Sequence, residues 1–298
     1  MTILLHTLKN TIDKELVFAI QQMGDKSTLR DACEYALMGK GKRVRPIIVL
    51  LTAKSFISKQ DVMNAALAVE FFHTASLIAD DLPCMDNDDR RRDRLSLHKV
   101  FGEGTALLAS YTLIALGYSY IQKNAEVLRK ISGYEQKADL VCSLALQVVS
   151  DLSGFSGATH GQYLDLFPPD NNIETVKKIM YQKTVTLFEI AFSLGWLFGG
   201  GEIHGLDEIR SCAFHFGMAF QMTDDIADLL QDRKNNYNSN LASLLGVSEA
   251  INLFRQECDL FIKKLSRVNT RIDDFRILIS YLKKLVDPLN LPIQPLQR

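Results

Sequence analysis

Proline placement constrains this chain more than any other sequence feature. Only 7 prolines occur among 298 residues, and the segments 84–167 and 170–287 contain none. Proline breaks helices because its ring removes a hydrogen-bond donor and clashes with the preceding turn, so both segments can form long helices. Strand signals are weak, since β-branched runs are short and no Asn-Gly or Asp-Gly pair separates alternating segments. We therefore predict an all-α protein.

The helical pattern continues through the chain without a sign of a domain boundary. With 47% hydrophobic residues, the chain can bury one large core or two modest ones. The Pro168-Pro169 loop and the glycine run at 199–201 end helices but bring no shift in composition. We predict a single domain over residues 1–298, with helices at about 2–23, 28–38, 43–56, 61–81, 104–130, 135–153, 156–166, 173–199, 206–231, 240–267 and 271–286.

Charge and cysteine content limit the binding partners and the cellular compartment that we expect for this protein. The formal net charge is −1, and the basic cluster at 90–94 directly follows five carboxylates that repel a phosphate backbone, so we expect no nucleic-acid binding. The 5 cysteines are dispersed and form no CxxC pair, which fits a reducing cytosol. Early charges at Lys9 and Asp13 interrupt the apolar core that a signal peptide needs, so we expect a cytoplasmic protein.

Residues 104–122 form an uncharged stretch whose length is close to the roughly 20 residues that span a bilayer. The stretch includes polar side chains such as Ser110, Tyr111 and Thr112. These residues favour a helix that is buried in protein, including burial at a subunit interface, over a membrane span.

Five aspartates crowd into ten residues at the end of an apolar stretch. Two carboxylates held about 4 Å apart repel by roughly 4 kcal/mol at an effective dielectric constant near 20, so a cation must compensate them. On a helix, His73, Asp80 and Asp81 share one face. Pro83 then turns the chain and brings Asp86 back toward the same end.

This acidic stretch predicts a metal-bound phosphate or diphosphate. Hard oxygen donors without cysteine suit Mg²⁺, which commonly binds one or two carboxylates together with substrate phosphates. Arg91 and Arg92 follow closely and can bind the same phosphates through paired hydrogen bonds. The alternative is a solvated acidic run, which is the more common role of such a run in isolation.

A second acidic element has clear helical spacing. Gln221, Asp224, Asp225 and Asp228 stand at i, i+3, i+4 and i+7, so they form one polar stripe opposite a mainly apolar face. A solvated stripe is an equally good interpretation of this helix alone. Two Asp-rich helix ends accompanied by Lys and Arg clusters suggest two metal-binding sides of one cavity.

Three smaller features each admit a functional and a structural interpretation. The run from Gly39 to Pro46 places glycines and four cations before an apolar helix, where they can cradle a phosphate or form a solvated loop. Gln162 and Asp165 can line a cleft or simply solvate a helix face. Lys183-Thr184 lies on an otherwise apolar helix, where the lysine can bind a ligand or extend to water.

These motifs resemble those of the trans-isoprenyl diphosphate synthases, specifically the short-chain farnesyl and geranylgeranyl diphosphate synthases. The first aspartate-rich motif matches residues 80–86, including the two-residue insertion of the bacterial and plant type, and is followed by Arg91-Arg92. The second matches residues 224–228. The resemblance covers about residues 28–232, and both motifs occur in the family's order.

The resemblance implies a fold, a reaction and a set of site residues. The fold is an isoprenoid-synthase-type helical bundle around a central cavity, in a homodimer that binds three Mg²⁺ ions, isopentenyl diphosphate and an allylic diphosphate. The metal ligands are Asp80, Asp81, Asp86, Asp224 and Asp228. The residues for isopentenyl diphosphate are Lys42, Arg45, His73 and Arg92, those for the allylic substrate are Arg91, Lys183, Thr184 and Gln221, and further substrate-binding positions are Gly41 and Gln162. The catalytic set comprises Asp80, Asp81, Asp86, Arg91, Lys183 and Asp224.

The resemblance also bears on product length. In the family, bulky side chains on the helix before the first motif close the hydrocarbon tunnel, and the corresponding positions here are Phe72, Ala75 and Ser76. Bacterial farnesyl synthases of this type usually carry an aromatic side chain where Ala75 stands, and Phe72 lies about 4.5 Å further along the helix. Five extra buried carbons are worth up to about 4 kcal/mol. We therefore expect geranylgeranyl diphosphate as the product, with farnesyl diphosphate as the alternative.

Two other functions compete with this one. Between Asp228 and Ser243 the chain is shorter than is usual in the family and lacks a clear equivalent of a lysine that contacts the allylic diphosphate, which leaves a weakly active or non-catalytic prenyl-synthase-like subunit as an alternative. A terpene cyclase also binds Mg²⁺-diphosphate through aspartates. The second acidic motif and the Lys42/Arg45 site for a second diphosphate favour condensation.

Overall fold

The computed structural model describes residues 3–56, 60–235, 240–268 and 271–286, with side chains given except at 228 and 230–235. The helices are α1 (Ile3–Gln21), α2 (Thr28–Leu37), α3 (Val44–Lys54), α4 (Met63–Asp80), α5 (Leu97–Phe101), α6 (Glu103–Arg129), α7 (Ala138–Ser153), α8 (Ala158–Leu166), α9 (Ile173–Met180), α10 (Thr186–Gly199), α11 (Leu206–Asn235), α12 (Leu241–Leu245), α13 (Val247–Leu265) and α14 (Ile272–Val286). A π-helical segment (Tyr181–Val185) joins α9 to α10, and a short 3₁₀ turn (Ile203–Gly205) precedes α11. The all-α prediction is confirmed.

One short hairpin was not predicted. Strands β1 (Arg90–Arg91) and β2 (Arg94–Leu95) pair in antiparallel register, with Arg91 opposite Arg94. The two turn residues, Arg92 and Asp93, have φ of 53° and 66°. A two-residue loop with positive φ at both positions is a type I′ turn, which normally carries Asn-Gly or Asp-Gly. Arg92 and Asp93 occupy this turn in place of such a pair, so no hairpin signal is present in the sequence here.

Two predicted helices are interrupted. The prediction of one helix over 240–267 is wrong, because Gly246 adopts φ of 85° between α12 and α13. Only glycine takes this conformation without steric cost, so the apolar periodicity continues past a residue that breaks the helix. The predicted helix over 173–199 exists, but its middle turn is π-helical at Tyr181–Val185.

The chain forms two compact units. The amino-terminal unit contains Ile3–Ser153 and Ile190–Leu206, and the carboxy-terminal unit contains Gly154–Glu189 and the described part of Asp207–Arg298. The prediction of one domain over 1–298 stays a prediction.

Helices α4 and α6 form the centre of the amino-terminal unit and run antiparallel. The side-chain oxygen of Asn124 accepts a hydrogen bond of 2.9 Å from the backbone N–H of Ala65, near the start of α4. Ser110 Oγ donates at 2.9 Å to the carbonyl oxygen of Ala75, near its end. These two bonds set the register of the helices, and buried apolar residues on most sides of α4 explain why its hydrophobic pattern lacks a polar face.

An aromatic cluster forms the centre of the carboxy-terminal unit. The ring of Phe216 on α11 lies 5.1 Å from that of Phe188 on α10 and 5.4 Å from that of Phe261 on α13, measured between centroids. Phe261 in turn lies 5.8 Å from Phe275 on α14. Edge-on and tilted contacts of this kind stabilise cores beyond the buried area alone, and this cluster holds α11, which carries the second acidic motif.

Helix α6 buries one face within this chain, and its predicted burial at a subunit interface stays a prediction. Two helical stretches, Glu103–Arg129 and Ala138–Leu166, are long and apolar enough to cross a membrane by length and composition alone. In α6 only 39% of the most apolar window is buried. Its exposed large side chains are Leu107, Leu108, Tyr111, Ile114 and Tyr118, which we call the α6 stripe. A contiguous apolar surface of this kind usually marks an interaction site.

Candidate active site

The loop after α4 brings two aspartates of the first motif into backbone contact. Helix α4 ends at Asp80, and the loop that follows turns back so that the backbone N–H of Asp86 donates to the carbonyl oxygen of Asp80 at 2.8 Å. The N–H of Asn87, which has φ of 55°, donates to the carbonyl of Leu82 at 3.1 Å and completes the turn. Asp80 is partly exposed and Asp86 is exposed. The predicted return of Asp86 toward Asp80 is confirmed.

Asp81 has a different environment from its neighbour. Its side chain is buried, and its Oδ1 accepts a hydrogen bond of 2.8 Å from Nε of Arg91. Arg91 also donates to Asp88 at 3.0 Å. Burial raises the pKa of the Asp81 carboxyl, and the paired Arg91 opposes that rise. Asp81 therefore orients Arg91 in this structure, and its role as a metal ligand stays a prediction.

The β1–β2 hairpin that carries Arg91 and Arg92 is attached to α2. The guanidinium of Arg94 lies 3.7 Å from the centroid of the Tyr35 ring, within the range of a cation–π contact. The Tyr35 hydroxyl donates to the carbonyl oxygen of Leu95 at 3.0 Å. Tyr35 thus contacts the second strand in two ways, and the turn residue Arg92 is held at the tip of a supported hairpin.

Arg43 organises the glycine-rich loop before α3. It is the N-cap of α3 in a left-handed conformation, with φ of 53°, and its guanidinium is buried. The guanidinium donates to the buried Glu70 carboxylate and to the Leu37 carbonyl, and its Nε donates to Asp13 at 2.8 Å. Sequence reasoning missed this network. Glu70, the one carboxylate within the apolar body of α4, was the signal that could have revealed it.

Gly41 allows two guanidinium groups to approach the loop backbone. A Cβ atom at this position would lie 2.6 Å from Nη1 of Arg92 and 2.9 Å from Nη1 of Arg43. Both distances are below ordinary van der Waals contact, so only glycine permits this arrangement. Gly41 is buried, whereas the next residue, Lys42, is exposed.

His73 lies among several guanidinium groups. Its Nε2 is 3.2 Å from Nη1 of Arg45. Burial lowers the pKa of the His73 imidazole well below its usual range, and the charges of Arg45, Arg92, Arg43 and Arg91 lower it further. The ring is therefore neutral, and Nε2 accepts from Arg45 because arginine can only donate. This concentration of positive charge favours an anionic ligand.

The carboxy-terminal unit holds the second group of predicted residues. Lys183 and Thr184 lie on the π-helical segment, and such segments occur frequently at functional sites. The Lys183 ammonium pairs with the Asp165 carboxylate on α8. The Thr184 hydroxyl donates to the side-chain oxygen of Gln221 on α11 at 2.7 Å. Gln162 is buried three residues before Asp165, so the two share one face of α8.

The second acidic motif is not a uniform polar stripe. Asp225 is buried, and its carboxylate accepts 2.8 Å and 2.9 Å bonds from the Gln221 side chain and the backbone N–H of Leu241. The Asn240 amide donates to the Asp225 carbonyl at 2.8 Å. Asp225 therefore attaches the start of α12 to α11. Asp224 is partly exposed, and the side chain of Asp228 lies outside the described residues.

The donor set fits a magnesium ion that shares its ligands with a substrate. Within the part of the chain that the structure describes, no three His, Cys, Asp or Glu side chains form a group able to hold a metal ion on their own. Asp80 and Asp86 supply accessible hard oxygen donors at the end of α4. Mg²⁺ commonly binds one or two carboxylates and completes its octahedron with phosphate oxygens and water, which matches this arrangement.

The predicted site residues thus fall into two groups, one in each unit. The amino-terminal unit contains Gly41, Lys42, Arg45, His73, Asp80, Asp81, Asp86, Arg91 and Arg92. The carboxy-terminal unit contains Gln162, Lys183, Thr184, Gln221, Asp224 and Asp228. The prediction that the two acidic motifs line one cavity stays a prediction.

The sequence matches a known protein family and is similar to proteins of known name. Residues 26–240 match the family model described as polyprenyl synthetase. The chain is 34% identical over 267 residues to the heterodimeric geranylgeranyl pyrophosphate synthase large subunit 2 of Arabidopsis thaliana, over 86% of this chain and 67% of that protein. It is 35% identical over 227 residues to geranylgeranyl pyrophosphate synthase 10, mitochondrial, of the same plant, over 74% of this chain and 63% of that protein. The chain thus spans about two thirds of the length of these relatives or less.

Solved structures match over nearly the whole chain. A geranyltransferase from Legionella pneumophila has a TM-score of 0.82 at 28% identity, over 97% of this chain and 97% of that chain. An FPP/GFPP synthase from Zymomonas mobilis has a TM-score of 0.80 at 27% identity, over 96% of this chain and 100% of that chain. Both support the helical fold described above.

The close approach at Gly41 predicts a binding defect. In Gly41→Ala, the added methyl group displaces the guanidiniums of Arg92 and Arg43, so we expect affinity for inorganic diphosphate in the presence of Mg²⁺ to fall about tenfold, or about 1.4 kcal/mol. Isothermal titration calorimetry measures this change. Gly39→Ala is the matched control, because a Cβ there meets its nearest atom at 3.4 Å. Equal affinities in both variants would contradict the role assigned to Gly41.

Proposed function

Because this chain belongs to the polyprenyl synthetase family, we propose that it is a Mg²⁺-dependent prenyltransferase that condenses isopentenyl diphosphate with an allylic diphosphate. One observation carries the proposal. The partly exposed carboxylates at the end of α4 lie in the same unit as the guanidiniums that surround a neutral His73, and Arg91 belongs to both features through its contacts with Asp81 and its charge effect on His73. A metal–diphosphate substrate requires both kinds of group, because carboxylates bind the metal ion and cations bind the phosphates.

Isopentenyl diphosphate is proposed to bind at the cationic group in the amino-terminal unit. Arg45 and Arg92 present guanidiniums near His73, and the exposed Lys42 adds a third positive charge. A diphosphate accepts many hydrogen bonds, and guanidinium groups donate them in pairs. The neutral imidazole of His73 can donate to a phosphate oxygen through Nδ1 while Nε2 accepts from Arg45.

The allylic diphosphate is proposed to bind through metal ions and a second set of cations. The proposed metal ligands are Asp80, Asp81, Asp86, Asp224 and Asp228, which would hold up to three Mg²⁺ ions. The proposed direct contacts are Arg91, Lys183, Thr184 and Gln221. Asp81 and Lys183 now pair with Arg91 and Asp165, so binding of the metal–diphosphate requires both residues to exchange a protein partner for the ligand.

The proposed reaction breaks a carbon–oxygen and a carbon–hydrogen bond and forms a carbon–carbon and an oxygen–hydrogen bond. The allylic carbon–oxygen bond breaks, the diphosphate leaves with the electron pair, and the alkene of isopentenyl diphosphate attacks the resulting allylic cation. A proton then leaves the new cation and passes to the released diphosphate. When bound, Mg²⁺ neutralises the charge that develops on the leaving group. Arg91 and Lys183 contribute the same stabilisation from the protein, so the reaction requires no protein nucleophile.

The proposed product is geranylgeranyl diphosphate. Ala75 is buried on α4 and offers only a methyl group where a bulky residue would shorten the space beside the helix. Phe72 is the next large side chain on that side, one turn further from Asp80. Ser76, the other position considered, donates its hydroxyl to the backbone carbonyl of His73 at 2.9 Å. The names of the curated relatives also support this length, whereas one solved structure is named a geranyltransferase.

A homodimer is proposed to cover the α6 stripe. Leu107, Tyr111, Ile114 and Tyr118 recur at helical spacing on one face, and Tyr111 is 58% exposed. Burial of such a face against a second copy stabilises the pair at about 25 cal/mol per Å² of apolar surface. All four residues lie in the uncharged stretch 104–122 between Glu103 and Lys123, so this face is available for a subunit contact.

Product analysis tests the activity. We expect the purified chain with Mg²⁺, isopentenyl diphosphate and dimethylallyl, geranyl or farnesyl diphosphate to form a longer linear prenyl diphosphate. Asp80→Asn removes a proposed metal ligand and should lower kcat/KM on the order of a hundredfold. Asp93→Asn, at an exposed carboxylate on the hairpin turn, should not. A cyclic hydrocarbon would identify a terpene cyclase, and no condensation would identify a non-catalytic subunit.

Ala75 offers a direct test of product length. Ala75→Tyr places an aromatic ring in the space that the last prenyl unit would occupy, so we expect farnesyl diphosphate to replace geranylgeranyl diphosphate as the main product. Chromatography of the dephosphorylated alcohols separates the two. Ala75→Ser adds only a hydroxyl group and serves as the control. An unchanged product in Ala75→Tyr would show that Ala75 does not limit chain length.

The dimer proposal predicts a change in oligomeric state. Tyr111→Glu places a charge within the α6 stripe and should convert the dimer to a monomer, because burial of an unpaired carboxylate is costly. Phe18→Glu is the matched control, since Phe18 on α1 is 59% exposed and lies outside the stripe. Sedimentation velocity distinguishes the species. A monomeric native protein, or a dimeric Tyr111→Glu variant, would exclude this interface.

A further inference from the structure

The ring of Phe72 lies directly against the backbone of Gly117. A Cβ atom on Gly117 would lie 2.5 Å from both Cε1 and Cζ of Phe72. Ordinary carbon–carbon contacts lie at roughly 3.5–4.0 Å, so a side chain at this position would force the ring to move by about 1 Å. The position of the Phe72 ring therefore depends on the absence of a side chain on α6.

A second contact from α6 orients the same ring. The centroid of the Tyr118 ring is 5.2 Å from that of Phe72, with an interplanar angle of 69°, which is an edge-to-face arrangement. Phe72 itself is only 8% exposed. Gly117 therefore sets how closely the ring approaches α6, while Tyr118 sets its tilt.

The register of the two helices places this contact beyond Ala75 as seen from Asp80. Ser110 on α6 bonds to the carbonyl of Ala75, and α6 then continues antiparallel to α4 until Gly117 reaches Phe72. Phe72 lies three residues before Ala75, which is about 4.5 Å along the helix axis. The Phe72–Gly117 contact therefore forms the layer immediately below the methyl group of Ala75.

We propose that Gly117 is a specificity-determining residue that sets product length by letting the Phe72 ring lie back against α6. This inference rests on the proposed function, because it requires a prenyl tail that extends along α4. Because glycine has no side chain, the Phe72 ring can lie close to α6, and this position leaves space beside Ala75 for one more prenyl unit. A side chain at 117 pushes the ring away from α6 and into that space, which shortens the product.

Product distributions of three variants test the proposal. Gly117→Ala is expected to raise the ratio of farnesyl to geranylgeranyl diphosphate at least threefold. Phe72→Ala is expected to lengthen the product, because it removes the ring. In the double variant Phe72→Ala/Gly117→Ala the distribution should equal that of Phe72→Ala alone, since no ring remains for the methyl group to displace. Thermal unfolding of each variant reports whether the fold is retained.

Gly104→Ala is the matched control, because it makes the same substitution on α6 where a Cβ meets nothing within 4 Å. An unchanged product ratio in folded Gly117→Ala, or an equal shift in the presence and absence of the Phe72 ring, would overturn the proposal.

If Gly117→Ala does not fold, Tyr118→Leu replaces it. Loss of the edge-to-face contact should broaden the product distribution, and an unchanged distribution would overturn the proposal. Absence of condensation in the native protein would instead refute the proposed function.

Discussion

The predicted site residues of the amino-terminal unit depend on how several guanidinium groups are held close together. Like charges in a small, partly buried region repel, so each group needs a partner that fixes it. Glu70 and Asp13 hold Arg43, and Asp81 holds Arg91. Arg45 contacts the neutral imidazole of His73, with its Nη1 atom 3.2 Å from Nε2. Carboxylates thus hold two of these arginines, and the positive charge around His73 favours an anionic ligand.

The two aspartate pairs, Asp80-Asp81 and Asp224-Asp225, show the same division between a partly exposed and a buried carboxylate. Asp80 and Asp224 are partly exposed, whereas Asp81 and Asp225 are buried and bonded to protein. Successive residues on a helix point about 100° apart, so when one carboxylate faces the open side of a helix its neighbour faces the interior. The buried member orients Arg91 in one unit and the start of α12 in the other. Each pair therefore combines a partly exposed carboxylate, which is proposed as a metal ligand, with a buried carboxylate that supports the local structure.

The same α4 helix connects the charged end to the apolar layers beside it. Its last residues carry the carboxylates, and its earlier turns pack against α6 through Ala75, Phe72 and Ala65. Because interiors are close-packed, the position of one ring on α4 is decided by the size of the residue that faces it on α6. The charged end is proposed to bind a head group, and the packed turns are proposed to limit the length of the tail.

The sequence by itself determined the helical class, most helix positions, and the residue types at both acidic motifs, because these follow from local periodicity and from proline placement. It also indicated that Asp86 returns toward Asp80. It did not reveal the type I′ turn at Arg92-Asp93, the break at Gly246, or the buried Arg43–Glu70 pair. The turn and the break lie at residues with positive φ, which apolar periodicity does not record. The Arg43–Glu70 pair joins residues far apart in the chain, so only the tertiary structure decided it. The same holds for Gly117, whose importance comes from a ring on another helix that no local pattern records.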